Sequence, residues 1–199
     1  LISDAKDFSG KAVVVITRAG GEGADLPTDM TADGVTYTNN SESYADFQKG
    51  EGFLQLSQTE RDMIDLVTAN FSDVTLVYNG ANTFQFDFLS DYPQIKSVVW
   101  CPPAGQTGFS ALGEVLVGET NPSGKTPDTF LKDLTEAPSY NNFGDFKYDN
   151  MKEFATENFE EGQTSPAFVN YVEGIYVGYK YWETADDEGV VDYDASVLF

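Results

Sequence analysis

The sequence predicts an α/β fold, a mainly parallel sheet flanked by helices. Apolar runs of strand length recur at residues 11–17, 74–78 and 95–100. Helical patterns alternate with them, as in chains built from βαβ units. The first run, Lys11-Ala12-Val13-Val14-Val15-Ile16-Thr17, is apolar nearly throughout rather than alternating, as a parallel strand covered on both faces should be.

The first strand leads directly into Gly20-Gly21-Glu22-Gly23-Ala24-Asp25. Residues 26–53 are polar and rich in Asp, Asn, Ser, Thr and Gly, and read as a long surface loop carrying Tyr37, Tyr44 and Phe47. A loop of that length in a compact domain is usually functional or disordered. A helix follows. Ser57 with Glu60 three residues on forms a capping box. Met63, Ile64, Val67 and Phe71 give the helix one apolar face. The second strand is Val74–Tyr78, closed by Asn79-Gly80, and Thr83 to Leu89 reads as a short helix. The third strand, Ile95–Trp100, ends at Pro102-Pro103. Gly105-Gln106-Thr107-Gly108 then opens a helix bearing Phe109, Leu112, Val115 and Leu116. Residues 132–168 form a second polar, irregular stretch. The aromatic segment Tyr171 to Trp182 reads mainly as core.

The chain has 199 residues, and they are read as a single domain with a sizeable core. It carries 33 acidic against 11 basic residues, a net charge of -22. Such a surface repels nucleic acid and anionic membranes, so no nucleic-acid partner is expected. There is no histidine, which removes Ser-His and Cys-His catalytic pairs and most zinc sites. The single cysteine, Cys101, ends an apolar strand and reads as a buried thiol. No run reaches the roughly 18 apolar residues of a membrane-spanning helix. The chain starts without methionine and stops within the apolar run Val197-Leu198-Phe199. It is therefore expected to be a fragment of a larger multidomain protein. A targeting segment would lie outside it, and either a cytoplasmic or a cell-surface location is compatible.

Two motifs suggest phosphate and fail. Ser123-Gly124-Lys125-Thr126 ends like a P-loop, but Gly118 lies one residue too far upstream and a helix, not a strand, precedes it. Gly21-Glu22-Gly23 lacks the third glycine of a dinucleotide fingerprint. Glu22 itself repels phosphate. No cofactor is expected. A carboxylate between glycines, at the carboxyl end of a strand where α/β folds place ligands, suits proton transfer to a neutral substrate such as a sugar.

Four segments together carry a resemblance to glycoside hydrolase family 3. The run from Ala12 to Asp25 looks like the start of that family's second domain. Pro103-Ala104-Gly105-Gln106-Thr107-Gly108 resembles its Pro-Gly-Gln-x-Gly turn, with Ala104 inserted. Asn121-Pro122-Ser123-Gly124-Lys125-Thr126-Pro127-Asp128-Thr129-Phe130 resembles its Asn-Pro-Ser-Gly-Lys-x-Pro-x-Thr-Phe segment. Glu173 to Tyr181 resembles its Glu-Gly-Ile-Tyr-Val-Gly-Tyr-Arg-Tyr segment, with Lys180 for arginine. The matches follow the family's order and span nearly the whole chain.

The resemblance implies an (α/β)6-sandwich domain of a retaining, exo-acting β-glucosidase or β-xylosidase. It implies an oligosaccharide or β-glycoside substrate and a (β/α)8-barrel domain of the same polypeptide, which 199 residues cannot also hold. Retention uses two carboxylates, one on each side of the scissile bond. In that family the nucleophile is an aspartate on the barrel, and the resemblance implies that the general acid/base is the glutamate of the Gly-Glu-Gly loop, here Glu22. Arg18 and Asp25 flank it as candidate substrate contacts. Asp25 also adds like charge, which favours a protonated acid, and Arg18 either opposes this or holds the loop. Glu119, before a turn, and Glu173, opening a strand, are rival acids. The competing functions are a stand-alone flavodoxin-like ligand-binding module, disfavoured by the loop carboxylate, and a non-catalytic packing domain.

Overall fold

A computed structural model describes residues 1–23, 25–142, 146–147 and 167–198. The chain divides into two compact units, residues 1–132 with 198–199, and residues 133–197.

The first unit is built on a parallel sheet of β1 (Lys11–Thr17), β2 (Asp73–Asn79) and β3 (Ile95–Trp100), in that spatial order. Val14 lies opposite Leu76, and Leu76 opposite Val98. Parallel neighbours need crossovers. The first contains α2 (Gln58–Thr68); α1 (Ile2–Phe8) precedes the sheet and α3 (Phe109–Leu116) follows it. The Ser57–Glu60 capping box is present in full. The Ser57 side chain accepts from Glu60 N, and Glu60 Oε2 accepts from Ser57 N at 2.9 Å. Ile64 and Phe71 are buried against Val14, Ile16, Val74 and Leu76, with Met63 and Val67 packed at the margin. This is the α/β arrangement of a parallel sheet with flanking helices.

Several local readings are corrected. β1 is covered on one face only. Val14 and Ile16 are buried, whereas Val13 and Val15 are 52% and 54% exposed. The physical reason is that α1 and α3 bury none of their residues, so the second face of this strand has no cover among the described residues. Thr83 to Leu89 is helical only at its end, where residues 87–89 belong to a 3₁₀ turn, Asp87–Asp91. Residues 83–86 form no helix; Phe84 and Phe86 enter the core from this irregular part and Phe88 from the turn. Their rings form a chain with Tyr78 and Phe130, with neighbouring centroids 5.0–6.0 Å apart. Cys101 is half-buried rather than enclosed.

The first long loop, 26–53, is held from inside. Asp46 is 1% exposed and accepts from Asn40 N (2.6 Å), Asn40 Nδ2 (2.9 Å), Tyr37 Oη (3.1 Å), Thr59 N (3.2 Å) and the Thr59 hydroxyl. Burial opposes ionisation of Asp46, but these hydrogen bonds outweigh it and hold the carboxyl below its ordinary 3.8.

In the second unit, β4 (Phe146–Lys147) pairs antiparallel with β5 (Ala167–Phe168), and α4 (Tyr179–Asp187) and α5 (Tyr193–Ser196) follow. The expected loop 132–168 lies partly outside the described residues, which omit 143–145 and 148–166. The Glu173 segment is a turn and not a strand. Gly174 and Gly178 adopt φ of 58° and 55°, which break an extended run before α4 begins. The aromatic segment is mostly exposed rather than core; between Tyr171 and Trp182 only Trp182, 2% exposed, is buried. No helix among the described residues is long and apolar enough to cross a membrane.

Candidate active site

The carboxyl ends of β1, β2 and β3 release three loops around one cleft of about 550 Å³. Glu22, Asn79, Asn82 and Pro103 all line it. This is where ligands sit in open α/β sheets. Asn79 ties the rim together. Its Nδ2 donates to Cys101 O at 2.8 Å, and its carbonyl accepts from Arg18 N at 3.0 Å. The ends of all three strands are thereby linked through one side chain and its backbone.

Glu22 is exposed at the mouth of this cleft. Gly23 follows at φ 78°, a left-handed conformation that suits glycine and turns the chain back after the carboxylate. The loop can therefore present Glu22 without a neighbouring side chain crowding it.

Arg18 lies beneath the loop and is 8% exposed. Its Nε donates to Phe53 O at 2.5 Å. Nη1 donates to Thr17 O at 2.9 Å and to Glu60 Oε1 at 2.6 Å. Nη2 donates to Gln55 O at 2.7 Å and to Glu60 Oε2 at 2.6 Å. A guanidinium has five N–H groups, so none is left for a substrate. The cation also stands 5.3 Å from the Phe53 ring centre and 5.0 Å from that of Phe84. Below it, the Tyr78 hydroxyl is buried without a hydrogen-bond partner, and burial pushes it up to about 12.

Asp25 is exposed and does not line the cleft. Glu119 sits past the end of α3, also outside the cleft. Glu173 belongs to the second unit, where its Oε2 accepts from Asn142 Nδ2 at 2.5 Å and it shares a cavity with Tyr176 and Tyr181. No three His, Cys, Asp or Glu side chains among the described residues are grouped to hold a metal. Asn79 and Asn82 line the cleft beside Glu22 and are not singled out as site residues by the sequence. Their position at the carboxyl end of β2 was the available signal. Glu60 is both the helix cap and the partner of Arg18.

Fold and cleft together define an α/β domain that offers a carboxylate at the carboxyl edge of its sheet. Residues 4–179 match the glycosyl hydrolase family 3 C-terminal domain, and the chain belongs to that family. It is 31% identical over 189 residues to beta-glucosidase A of Butyrivibrio fibrisolvens, covering 92% of this chain and 20% of that protein. A beta-glucosidase structure from Paenibacillus barengoltzii superposes with a TM-score of 0.65 at 26% identity, covering 100% of this chain and 17% of that one. A family 3 beta-glucosidase from Neurospora crassa, 20% identical, shares the fold with a TM-score of 0.59, covering 100% of this chain and 19% of that one. The chain thus spans about a fifth of the relatives it matches.

Proposed function

We propose that this chain is the α/β domain of a retaining, exo-acting β-glycosidase, of the β-glucosidase or β-xylosidase type, and that Glu22 is its general acid/base. The observation that carries this is an exposed glutamate, flanked by glycines, at the mouth of the cleft where the three strands end. The family and the names of the relatives support a terminal β-linked sugar as substrate.

In this reading a (β/α)8 barrel of the same polypeptide closes over the cleft and brings the nucleophilic carboxylate. Two carboxylates about 5 Å apart flank the bond in a retaining enzyme. Glu22 protonates the glycosidic oxygen as the nucleophile forms a glycosyl-enzyme. As a carboxylate it then removes a proton from the attacking water. Covering the cleft with barrel and sugar would exclude bulk water from the scissile bond. Arg18 is the loop's anchor rather than a substrate contact, since its donors are spent inside the chain.

The test is Glu22→Gln in the full-length enzyme. General acid help matters most for poor leaving groups and contributes about 10²–10⁴-fold. Dinitrophenyl glycosides should keep most of their glycosylation rate, while alkyl glycosides and disaccharides lose it. An equal loss on every substrate makes Glu22 a shape-holding residue and moves the acid role to Glu119 or Glu173.

A further inference from the structure

Arg18 is the last residue the sheet holds before the glycine loop, through its backbone bond to Asn79 O at 3.0 Å. Beyond it the loop has little internal support. A Cβ placed on Gly21 would find no atom within 4 Å, and Glu22 makes no hydrogen bond or ion pair with the described residues. The position of Glu22 is therefore set at the loop's two stems.

Both stems meet at Phe53. Its carbonyl accepts from Arg18 Nε at 2.5 Å, on the incoming side. Its N–H donates to Pro27 O at 2.9 Å, on the outgoing side. Arg18 is in turn gripped by both oxygens of Glu60 at 2.6 Å, and Glu60 is fixed to the first turn of α2 by its bond from Ser57 N. The route from helix to loop is continuous: α2 holds Glu60, Glu60 holds Arg18, and Arg18 holds Phe53 and, through it, Pro27. The planar five-donor fork suits this task, because it reaches three carbonyls and a bidentate carboxylate at once.

We propose that Arg18, clamped by Glu60, is a positioning residue for proton transfer by Glu22, stapling both stems of the glycine loop to the backbone of Phe53. The proposal rests on the reading of Glu22 as the acid/base. Misplacing a catalytic group by about 1 Å can cost about a hundredfold in rate, and here that cost should fall on the step that needs the proton.

The experiment compares Arg18→Met, Arg18→Lys and Glu22→Gln in the full-length enzyme, on dinitrophenyl and alkyl β-glycosides. Arg18→Met should lower kcat/KM for the alkyl glycoside roughly 10- to 100-fold more than for the dinitrophenyl glycoside. Arg18→Lys, with three donors, should recover only part of the alkyl-glycoside rate that Arg18→Met loses. Combined with Glu22→Gln, Arg18→Met should add no further selectivity, since the group it positions is gone. If Arg18→Met does not fold, Glu60→Gln, which keeps one acceptor oxygen for Ser57 and Arg18, carries the same expectation. Suppose Glu22→Gln is selective but the Arg18 and Glu60 variants lose activity equally on both substrates, or lose only thermal stability. The positioning role is then wrong and the acid/base reading stands. A non-selective Glu22→Gln overturns both.

Discussion

Removing the Asp46 carboxylate should untie the 26–53 loop. That side chain is 1% exposed and accepts five hydrogen bonds. Tyr37 and the Asn40 amide reach the surface and can turn to water. The Asn40 and Thr59 backbone N–H groups are the ones left without their acceptor. A hydrogen bond to a charged group contributes about 1.5–3 kcal/mol, and an unsatisfied buried donor costs about 1–3 kcal/mol. The carboxylate also sits at the N-terminus of α2, worth roughly 0.3–1 kcal/mol. Asp46→Ala should therefore cost about 2–4 kcal/mol. Asp46→Asn should cost less, about 1–2 kcal/mol, because its oxygen still accepts on one side while its amide faces the Thr59 N–H on the other. With a urea m-value of about 2 kcal/mol/M, the Ala variant should unfold at a midpoint roughly 1–2 M lower. Trp100, whose Nε1 donates to Gly80 O at 2.7 Å, gives the fluorescence signal from this unit. The pH dependence has a fixed sign. A carboxyl held below its ordinary 3.8 stabilises the fold above that pH, and the contribution is lost as pH falls through the lower folded value. The gap between the native chain and Asp46→Asn should thus be full at pH 7 and shrink below about pH 4. Equal midpoints at pH 7, or a gap that persists unchanged into strong acid, would show that the Asp46 carboxylate does not hold the loop.

Gly23→Ala should lower activity and stability, since φ of 78° costs an L-residue about 1 kcal/mol or more. Gly21→Ala, with open space around it, should be nearly neutral for folding; thermal melts of the two variants compare them directly. The 199-residue chain expressed by itself should not turn over aryl β-glycosides, because the proposed nucleophile lies on another domain. Turnover by contaminant-free chain would place both carboxylates within it.

What could be read from the sequence was what is decided locally. β1, β2 and β3 are apolar runs closed by glycine, asparagine or proline, and the capping box of α2 spans four residues. The glycine loop was legible because it follows β1 directly. What stayed hidden depends on distant partners. Val13 and Val15 look like Val14 in sequence, and only the positions of other elements decide which of them is covered. Phe84, Phe86 and Phe88 sit among residues that permit a helix, and the core takes all three from an irregular stretch that ends in a 3₁₀ turn. Arg18 and Glu60 are 42 residues apart, so no spacing rule connects them. Asp46 looks like one more acid of a polar loop until its five donors are placed around it. The turn at Glu173 follows from two positive-φ glycines, in a segment whose apolar residues alone suggest a strand.

Azide tests the acid/base role of Glu22. In Glu22→Ala full-length enzyme, a dinitrophenyl β-glycoside needs no acid to form the glycosyl-enzyme, but water lacks a base to release it. Azide is a nucleophile that needs no base, and it fits the space the carboxylate leaves. Azide should raise turnover many-fold and yield the β-configured glycosyl azide, the product of attack on the face Glu22 served. No acceleration and no β-glycosyl azide, in a variant that folds and binds substrate, would contradict that role.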